Sequence, residues 1–272
     1  MKTTLLTSPA KINLTLKVLN YDKLLSKHKI SSKVYLLKLS DTIKVSKYKN
    51  NLSIKYYINK KKIIVKNDII KKTILYFDKK YGTNSKFEIS INKVIPIGYG
   101  LGGGSSNSAS ILKFLYKFHN IDNKNFYIDA PNIGSDVLIF KDNYPKVIDG
   151  LNKFKKINTK QPRWRKIFLL IPSKKNITKK IFDIYRNNKN TLIKKIFSQN
   201  DLLYSSMMFN EEFQNLYNFI ETQKDKFKVN GMSGSGSSIF FKFKSNIAEK
   251  SLINDIRSKY PLVRIEKSYY FS

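Results

Sequence analysis

The 272-residue sequence has no cysteine, two histidines and one tryptophan. Without cysteine there are no disulfides and no thiolate metal sites, and two histidines leave little for a zinc centre. Acidic residues are scarce as well, 19 against 52 Lys and Arg, which gives a formal net charge of +33. No apolar run approaches the roughly 18 residues of a membrane span, and Lys2 is a poor start for a signal peptide. The expectation is a cytoplasmic protein with no membrane partner. Arginine is rare too, limited to Arg163, Arg165, Arg186, Arg257 and Arg264. Readout of bases and phosphates favours arginine forks. The lysines instead spread over almost the whole chain among Asn, Ile, Tyr and Phe, residues with A/T-rich codons. This reads as compositional drift rather than a nucleic-acid surface. The diffuse positive field would still concentrate polyanionic small molecules such as nucleotides.

What is present reads as mixed strands and helices. LLTSPAKINLTLKVL alternates from Ile12 to Val18 as a strand, and VYLLKLSDTIKVSKY and NLSIKYYINKKKIIV are two further β-rich runs. NDIIKKTILYFDKKYG predicts a helix with Ile70, Ile74 and Phe77 on one face. FEISINKVIPI reads as a strand that feeds directly into a glycine loop. SASILKFLYKFHN then reads as a helix with Ile111, Leu112, Leu115 and Phe118 inward. DAPNIGSDVLIF reads as a loop leading into a strand. The polar stretch at 150–165 is the natural place for a domain boundary. Beyond it come a buried-type strand in KIFLLIP and helical segments from ITKKIFDIYRNN through EEFQNLYNFIETQ. A second Gly/Ser loop in VNGMSGSGSSIFFKF, a helix in IAEKSLINDIRSKY and a closing strand in LVRIEKSYYF complete the chain. No internal repeat of fixed period is present.

The chemistry concentrates in IPIGYGLGGGSSNSASIL, residues 95–112. Five glycines within seven residues, between a strand and a helix, let the backbone approach a ligand closely at a helix N-terminus. Ser105 and Ser106 add hydroxyls, so the loop reads as a phosphate cradle. There is no Gly-Lys-Ser/Thr, which excludes a Walker loop. Gly98-x-Gly100-x-x-Gly103 formally matches a dinucleotide fingerprint, but no second strand ends in an acid about 20 residues on. Two unusual segments accompany the loop: SPAKINL, with a lysine inside a strand-like stretch, and NGMSGSGSS at 230–238.

In this order, SPAKINL, PIGYGLGGGSSNSA and NGMSGSGSS resemble the three motifs of the GHMP small-molecule kinases. With Gly134-Ser135-Asp136-Val137, the likeness narrows to the 4-diphosphocytidyl-2-C-methyl-D-erythritol kinase family and spans Ser8 to Ser238. The resemblance implies an α+β, two-domain GHMP kinase fold. Its N-terminal half, 1–158, is ATP-binding and like the second domain of ribosomal protein S5; its C-terminal half, 159–272, is ferredoxin-like, with the active site in the cleft between them. It implies ATP as phosphoryl donor, with Mg2+, and the 2-hydroxyl of a cytidine-diphosphate-linked methylerythritol as acceptor. Lys11 and Asp136 match the catalytic pair. Pro96, Gly98, Gly100, Leu101, Gly102, Gly103, Gly104, Ser105, Ser106 and Asn107 match the ATP loop, and Asn67 a residue near the nucleotide. Asn13, His28, Thr178, Phe182, Gly234, Ser235 and Gly236 match substrate-side positions, with His28 and Phe182 at the cytosine. Ser106 is the one candidate metal ligand. The chain departs from the pattern at Lys27, where the family has a stacking tyrosine, and at Leu25-Ser26, where it has Asp-Gly. Leu138 replaces a proline and Ser108 an alanine. Alternatives open from the residues alone are a sister GHMP kinase, a basic RNA-binding protein with an S5-like fold, and a nicotinamide-dependent dehydrogenase.

Overall fold

The computed structural model describes residues 3–22, 27–48, 51–150, 153–158, 163–188 and 199–272. Two strands are long: β1 (Thr3–Asp22) and β2 (Lys27–Lys47). Both supply residues to each of the two compact units into which the chain divides. One unit comprises Met1–Ala10, Lys38–Ile97 and Gly102–Asn143; the other comprises Lys11–Leu37, Gly98–Leu101 and Tyr144–Ser272.

In the first unit, strict alternation along β2 turns Leu39, Asp41, Ile43 and Val45 inward. That stretch pairs antiparallel with β5 (Phe87–Asn92), and β5 pairs parallel with β3 (Ser53–Ile58), which ends in a hairpin with β4 (Lys61–Ile63). Between β4 and β5 lies helix α1 (Ile69–Tyr81). The Asp68 carboxylate starts it by accepting from the Ile70 and Lys71 amides, and Gly82, in a left-handed conformation, stops it. Ile70, Ile74 and Phe77 are buried, as their spacing predicts. Helix α2 runs from Gly103 to Phe118 and buries every residue from Ser106 to Leu112, where small Ser and Ala side chains permit close approach. Ser110 accepts a hydrogen bond from Ser8 at 2.9 Å, and Ser108 pairs with Thr73 at 2.7 Å.

Three expectations change here. β5 stops at Asn92 because the Val94 and Ile95 amides turn to the Asp41 carboxylate, at 2.7 and 2.9 Å. Phe118 is 43% exposed, with ring contacts to Phe87, Phe114 and His119, while Tyr116 takes the buried position. DAPNIGSDVLIF contains no strand. Helix α3 (Phe126–Ile133) is followed by a 3-10 turn, Val137–Lys141. Phe126, Asp129, Ala130 and Ile133 are buried at helical spacing, and Asp129 collects donors from Tyr76, Tyr81, Tyr116 and Lys80.

In the second unit, antiparallel strands follow the order β2, β11 (Arg264–Phe271), β8 (Trp164–Ile171), β10 (Ile239–Phe243), β9 (Phe227–Met232). The first part of β2 also pairs with β6 (Lys146–Gly150), which carries β7 (Phe154–Lys156). Helices α4 (Thr178–Asn187), α5 (Leu203–Phe209), α6 (Glu211–Thr222) and α7 (Asn246–Lys259) complete it. Their core includes Phe168, Leu170, Ile181, Phe213, Leu216, Phe241 and Leu252. Among the described residues no helix is long and apolar enough to cross a membrane.

Candidate active site

The second unit brings parts of all three motif segments together. Around Lys11 the usual alternation of β1 is suspended: Ala10, Lys11, Ile12 and Asn13 are all buried, Lys11 at 4% exposure. The Lys11 amide donates to the Leu101 carbonyl at 2.9 Å, and its ammonium donates to Asn13 Oδ1. Asn13 Nδ2 donates to Ser32 Oγ at 2.7 Å, which donates in turn to the Thr15 carbonyl at 2.5 Å. The Asn13 amide donates to Ser233 Oγ at 3.3 Å, and Ser233 Oγ donates to the Gly100 carbonyl at 3.0 Å. Lys11–Asn13, Gly98–Leu101 and the 233–238 loop thus form one hydrogen-bonded body within the second unit, with a buried ammonium in it.

The glycines have a specific task there. Gly100 has φ +76°, and a Cβ on it would lie 2.1 Å from the Ser233 carbonyl oxygen. Gly234, at φ +59°, would place a Cβ 3.4 Å from Lys11 Nζ. Every residue of the second Gly/Ser loop from Gly231 to Ser238 is buried. Its side chains serve the protein: Ser237 donates to the Lys174 carbonyl, Ser238 to the Tyr99 carbonyl, and Ser235 pairs with Thr178 at 2.9 Å. Two asparagines that sequence reasoning missed hold this loop. Asn176 Nδ2 donates to the Ser235 carbonyl at 2.7 Å, and Asn200 Nδ2 to the Met232 and Gly234 carbonyls, both at 2.9 Å. Lys175 was missed too: a Cβ on Gly98, at φ +91°, would lie 3.0 Å from its Cδ.

His28 and Phe182, paired by the resemblance alone, stack with centroids 4.9 Å apart at 16°. A third ring joins them: Tyr21, from the end of β1, is 4.8 Å from His28 at 58°. Leu25-Ser26 and the side chain of Lys27 lie outside the described residues.

The first unit holds the remaining expected residues. Gly102, in a left-handed conformation, is the cap of α2, and its carbonyl accepts from the Ser106 amide at 3.0 Å. Ser106 is fully buried, and its hydroxyl has no partner among the described residues. Asn107 is buried and accepts from Lys93 Nζ at 2.8 Å. Lys93 also donates to Asp41, forming a buried ion pair, and would sit 3.2 Å from a Cβ on Gly103. The pair therefore lies directly under the first turn of α2. A buried acid among the inward apolar positions of β2 was the visible signal for it. Ile69 links the neighbouring pieces. Its Cγ2 would lie 3.7 Å from a Cβ on Gly104, and its Cδ1 3.4 Å from one on Gly134. Asp136, two residues beyond Gly134, is partly exposed at the head of the 3-10 turn, and Asn67 is exposed with φ +55° just before the α1 cap. Pro96 is partly buried. Among the described residues no group of three His, Asp or Glu side chains is placed to hold a metal.

Known proteins resemble the chain in sequence and in fold. The family model described as "GHMP kinases N terminal domain" matches residues 68–139. The chain is 30% identical over 260 residues to a "4-diphosphocytidyl-2-C-methyl-D-erythritol kinase" of Buchnera aphidicola subsp. Schizaphis graminum (strain Sg), covering 87% of this chain and 83% of that protein. It is 29% identical over 269 residues to the protein of the same name in Ureaplasma parvum serovar 3, covering 90% of this chain and 97% of that one. A crystal structure of a 4-(cytidine 5'-diphospho)-2C-methyl-D-erythritol kinase superposes with a TM-score of 0.75 at 19% identity, covering the whole of both chains. A fold of this type, the three assembled motif segments and that breadth of similarity lead to one assignment: the chain belongs to the 4-diphosphocytidyl-2-C-methyl-D-erythritol kinase family of GHMP kinases.

Proposed function

We propose that this ATP-dependent small-molecule kinase transfers the γ-phosphoryl group of ATP to the 2-hydroxyl of 4-diphosphocytidyl-2-C-methyl-D-erythritol, a step of non-mevalonate isoprenoid precursor synthesis. The observation that carries the reading is the buried Lys11, bound through its amide to the glycine loop and lying beside Gly234. A buried ammonium between two glycine-rich turns stabilises negative charge developing on a transferring phosphoryl group. In the reaction the 2-hydroxyl oxygen bonds to the γ-phosphorus while the bond to the β–γ bridging oxygen breaks, leaving ADP. Asp136 takes or orients the hydroxyl proton as the new bond forms.

Pro96, Gly98 and the run from Gly100 to Asn107 bind ATP, with Asn67 near the nucleotide. Asn13, Thr178 and the turn at Gly234, Ser235 and Gly236 face the acceptor, and His28 and Phe182 take its cytosine. ATP is delivered with Mg2+, whose contribution when bound is to neutralise the β- and γ-phosphates. With no acidic cage among the described residues, the orphaned Ser106 hydroxyl is the side chain that would hold it, as a hard oxygen donor. The halves 1–158 and 159–272 as ATP-binding and C-terminal domains, a cytoplasmic location and the absence of a nucleic-acid partner belong to the same proposal.

ADP release tests the substrate assignment. The cytidyl substrate should support turnover, while mevalonate, homoserine and simple sugars should not. Turnover with one of those alcohols and none with the cytidyl compound would overturn it.

A further inference from the structure

Between β8 and α4 the chain makes a short turn, residues 172–177, in the same unit as Gly98–Leu101. Its backbone is held from several sides. The Glu212 carboxylate, in the first turn of α6, accepts from the Ser173 amide and hydroxyl at 2.8 and 2.7 Å and from the Lys174 amide at 3.0 Å. The Lys174 carbonyl accepts from Ser237 Oγ at 2.8 Å and from Asn210 Nδ2 at 3.1 Å. The Ser173 carbonyl accepts from the Tyr99 hydroxyl at 2.9 Å, which ties the turn to the glycine loop itself. Asn176, on the other side of Lys175, is buried and donates to the Ser235 carbonyl at 2.7 Å.

Lys175 stands between these anchors and is itself exposed. Its stem crosses Gly98, with Cδ 3.0 Å and both Cγ and Cε 3.9 Å from where a Cβ would stand. The bare backbone at Gly98 thus makes room for the stem. Among the described residues the Lys175 ammonium has neither a hydrogen bond nor an ion pair. With the backbone fixed, only the lysine's own rotamers remain to be ordered when an anion binds. An ammonium is a compact point charge with three donors, suited to phosphate oxygens.

We infer that Lys175 is a phosphate-contacting residue of the nucleotide site: its ammonium binds the triphosphate of ATP alongside Gly98. It adds an exposed cation to the amides and hydroxyls of the loop. The inference rests on the ATP reading of the glycine loop and extends it to a residue outside the three motif segments. The charge of Lys175, not its stem, is the working part, and the bonds from Glu212, Asn210, Ser237 and Tyr99 hold it in place.

The test is calorimetric titration of the full chain with magnesium-ATP, repeated for three variants. Lys175→Met keeps a stem and removes the charge, and Lys175→Arg keeps the charge. Lys250→Met removes an exposed charge from α7 and controls for the overall field of the +33 chain. Melting temperatures establish that each variant folds. Lys175→Met should weaken ATP binding about tenfold, while Lys175→Arg stays within about threefold and Lys250→Met matches the parent. In steady-state kinetics the KM for ATP should rise in Lys175→Met, with the KM for the cytidyl acceptor unmoved. Parental ATP affinity in folded Lys175→Met overturns the inference and leaves the stem as packing for Gly98. An equal loss in Lys250→Met overturns it in favour of the general field, and a Lys175→Arg variant as weak as Lys175→Met overturns the role of charge. A rise in the acceptor KM in place of that for ATP would assign the cation to the acceptor's diphosphate instead. Failure of the function reading looks different: the parent binds ATP yet phosphorylates no cytidyl compound, and Lys175 is still judged by the titration. A parent that binds no ATP overturns the Lys175 inference outright.

Discussion

Gly100 shows how much a single position can fix. Its positive φ costs a side-chain-bearing residue roughly 1–2 kcal/mol, and a Cβ 2.1 Å from the Ser233 carbonyl oxygen forces the two turns apart. Gly100→Ala should therefore raise the KM for ATP and lower the melting temperature together, read by steady-state kinetics and calorimetry. An alanine variant with parental kinetics would show that the contact between the turns has no role in the site. Lys11→Met should lower kcat by about 10²–10³ while the fold survives, since a neutral chain of similar length fills the buried space. Lys11 and Gly100 were legible in the sequence because a lysine in a strand and a glycine cluster at a helix mouth are both anomalies. Lys175 and Asn200 were not, because a lysine or an asparagine in a loop breaks no local rule. Only the fold brings them to the site.

Elements carry the next layer. The acid that interrupts the inward apolar face of β2 accepts the Val94 and Ile95 amides and pairs with Lys93 beneath α2. Removing one partner of a buried pair leaves an uncompensated charge, at a cost of about 3–5 kcal/mol. Lys93→Met should cost that much in denaturant unfolding, and Asp41→Asn combined with Lys93→Met should cost less than the two single losses added. Additive losses would mean the two residues do not act as a pair.

A second buried acid sets an acid limit on α3. Burial alone would raise the Asp129 carboxyl, but donors from Lys80, Tyr116, Tyr81 and Tyr76 hold it below the ordinary value of 3.8. A depressed folded-state value means that stability is present above the unfolded value and is lost as pH falls through the folded one. Melting temperatures should thus drop below about pH 4, and Asp129→Asn should flatten that acid limb while lowering stability at neutral pH. An unchanged acid limb in the variant would assign it to other carboxylates. The helical register of α3 could have been read from Phe126, Ala130 and Ile133; what obscured it was an acid at an inward position, ordinarily a sign of solvent.

At the scale of the whole molecule, the strands and helices of the chain were largely visible as periodicity, whereas the division into units was not. The glycine run itself passes from one unit to the other between Leu101 and Gly102, and no composition shift marks that point. The charge of +33 acts here as well. Self-repulsion of like charges lowers stability and is screened over a Debye length of about 8–10 Å at physiological salt. The melting temperature should rise between low and moderate salt, and rise further with saturating ATP through binding to the folded state. A flat response to salt would show that the lysines are too dispersed to repel.

The central claim concerns a reaction, and phosphorus NMR reads it most directly. The protein is incubated with magnesium-ATP and 4-diphosphocytidyl-2-C-methyl-D-erythritol beside its Asp136→Asn variant. A new phosphomonoester resonance with matching ADP, formed at least about 10²-fold more slowly by the variant, is the result expected here. A folded parent protein that forms no phosphomonoester, or a variant that forms it at the parental rate, would contradict the substrate in the first case and the role of Asp136 in the second.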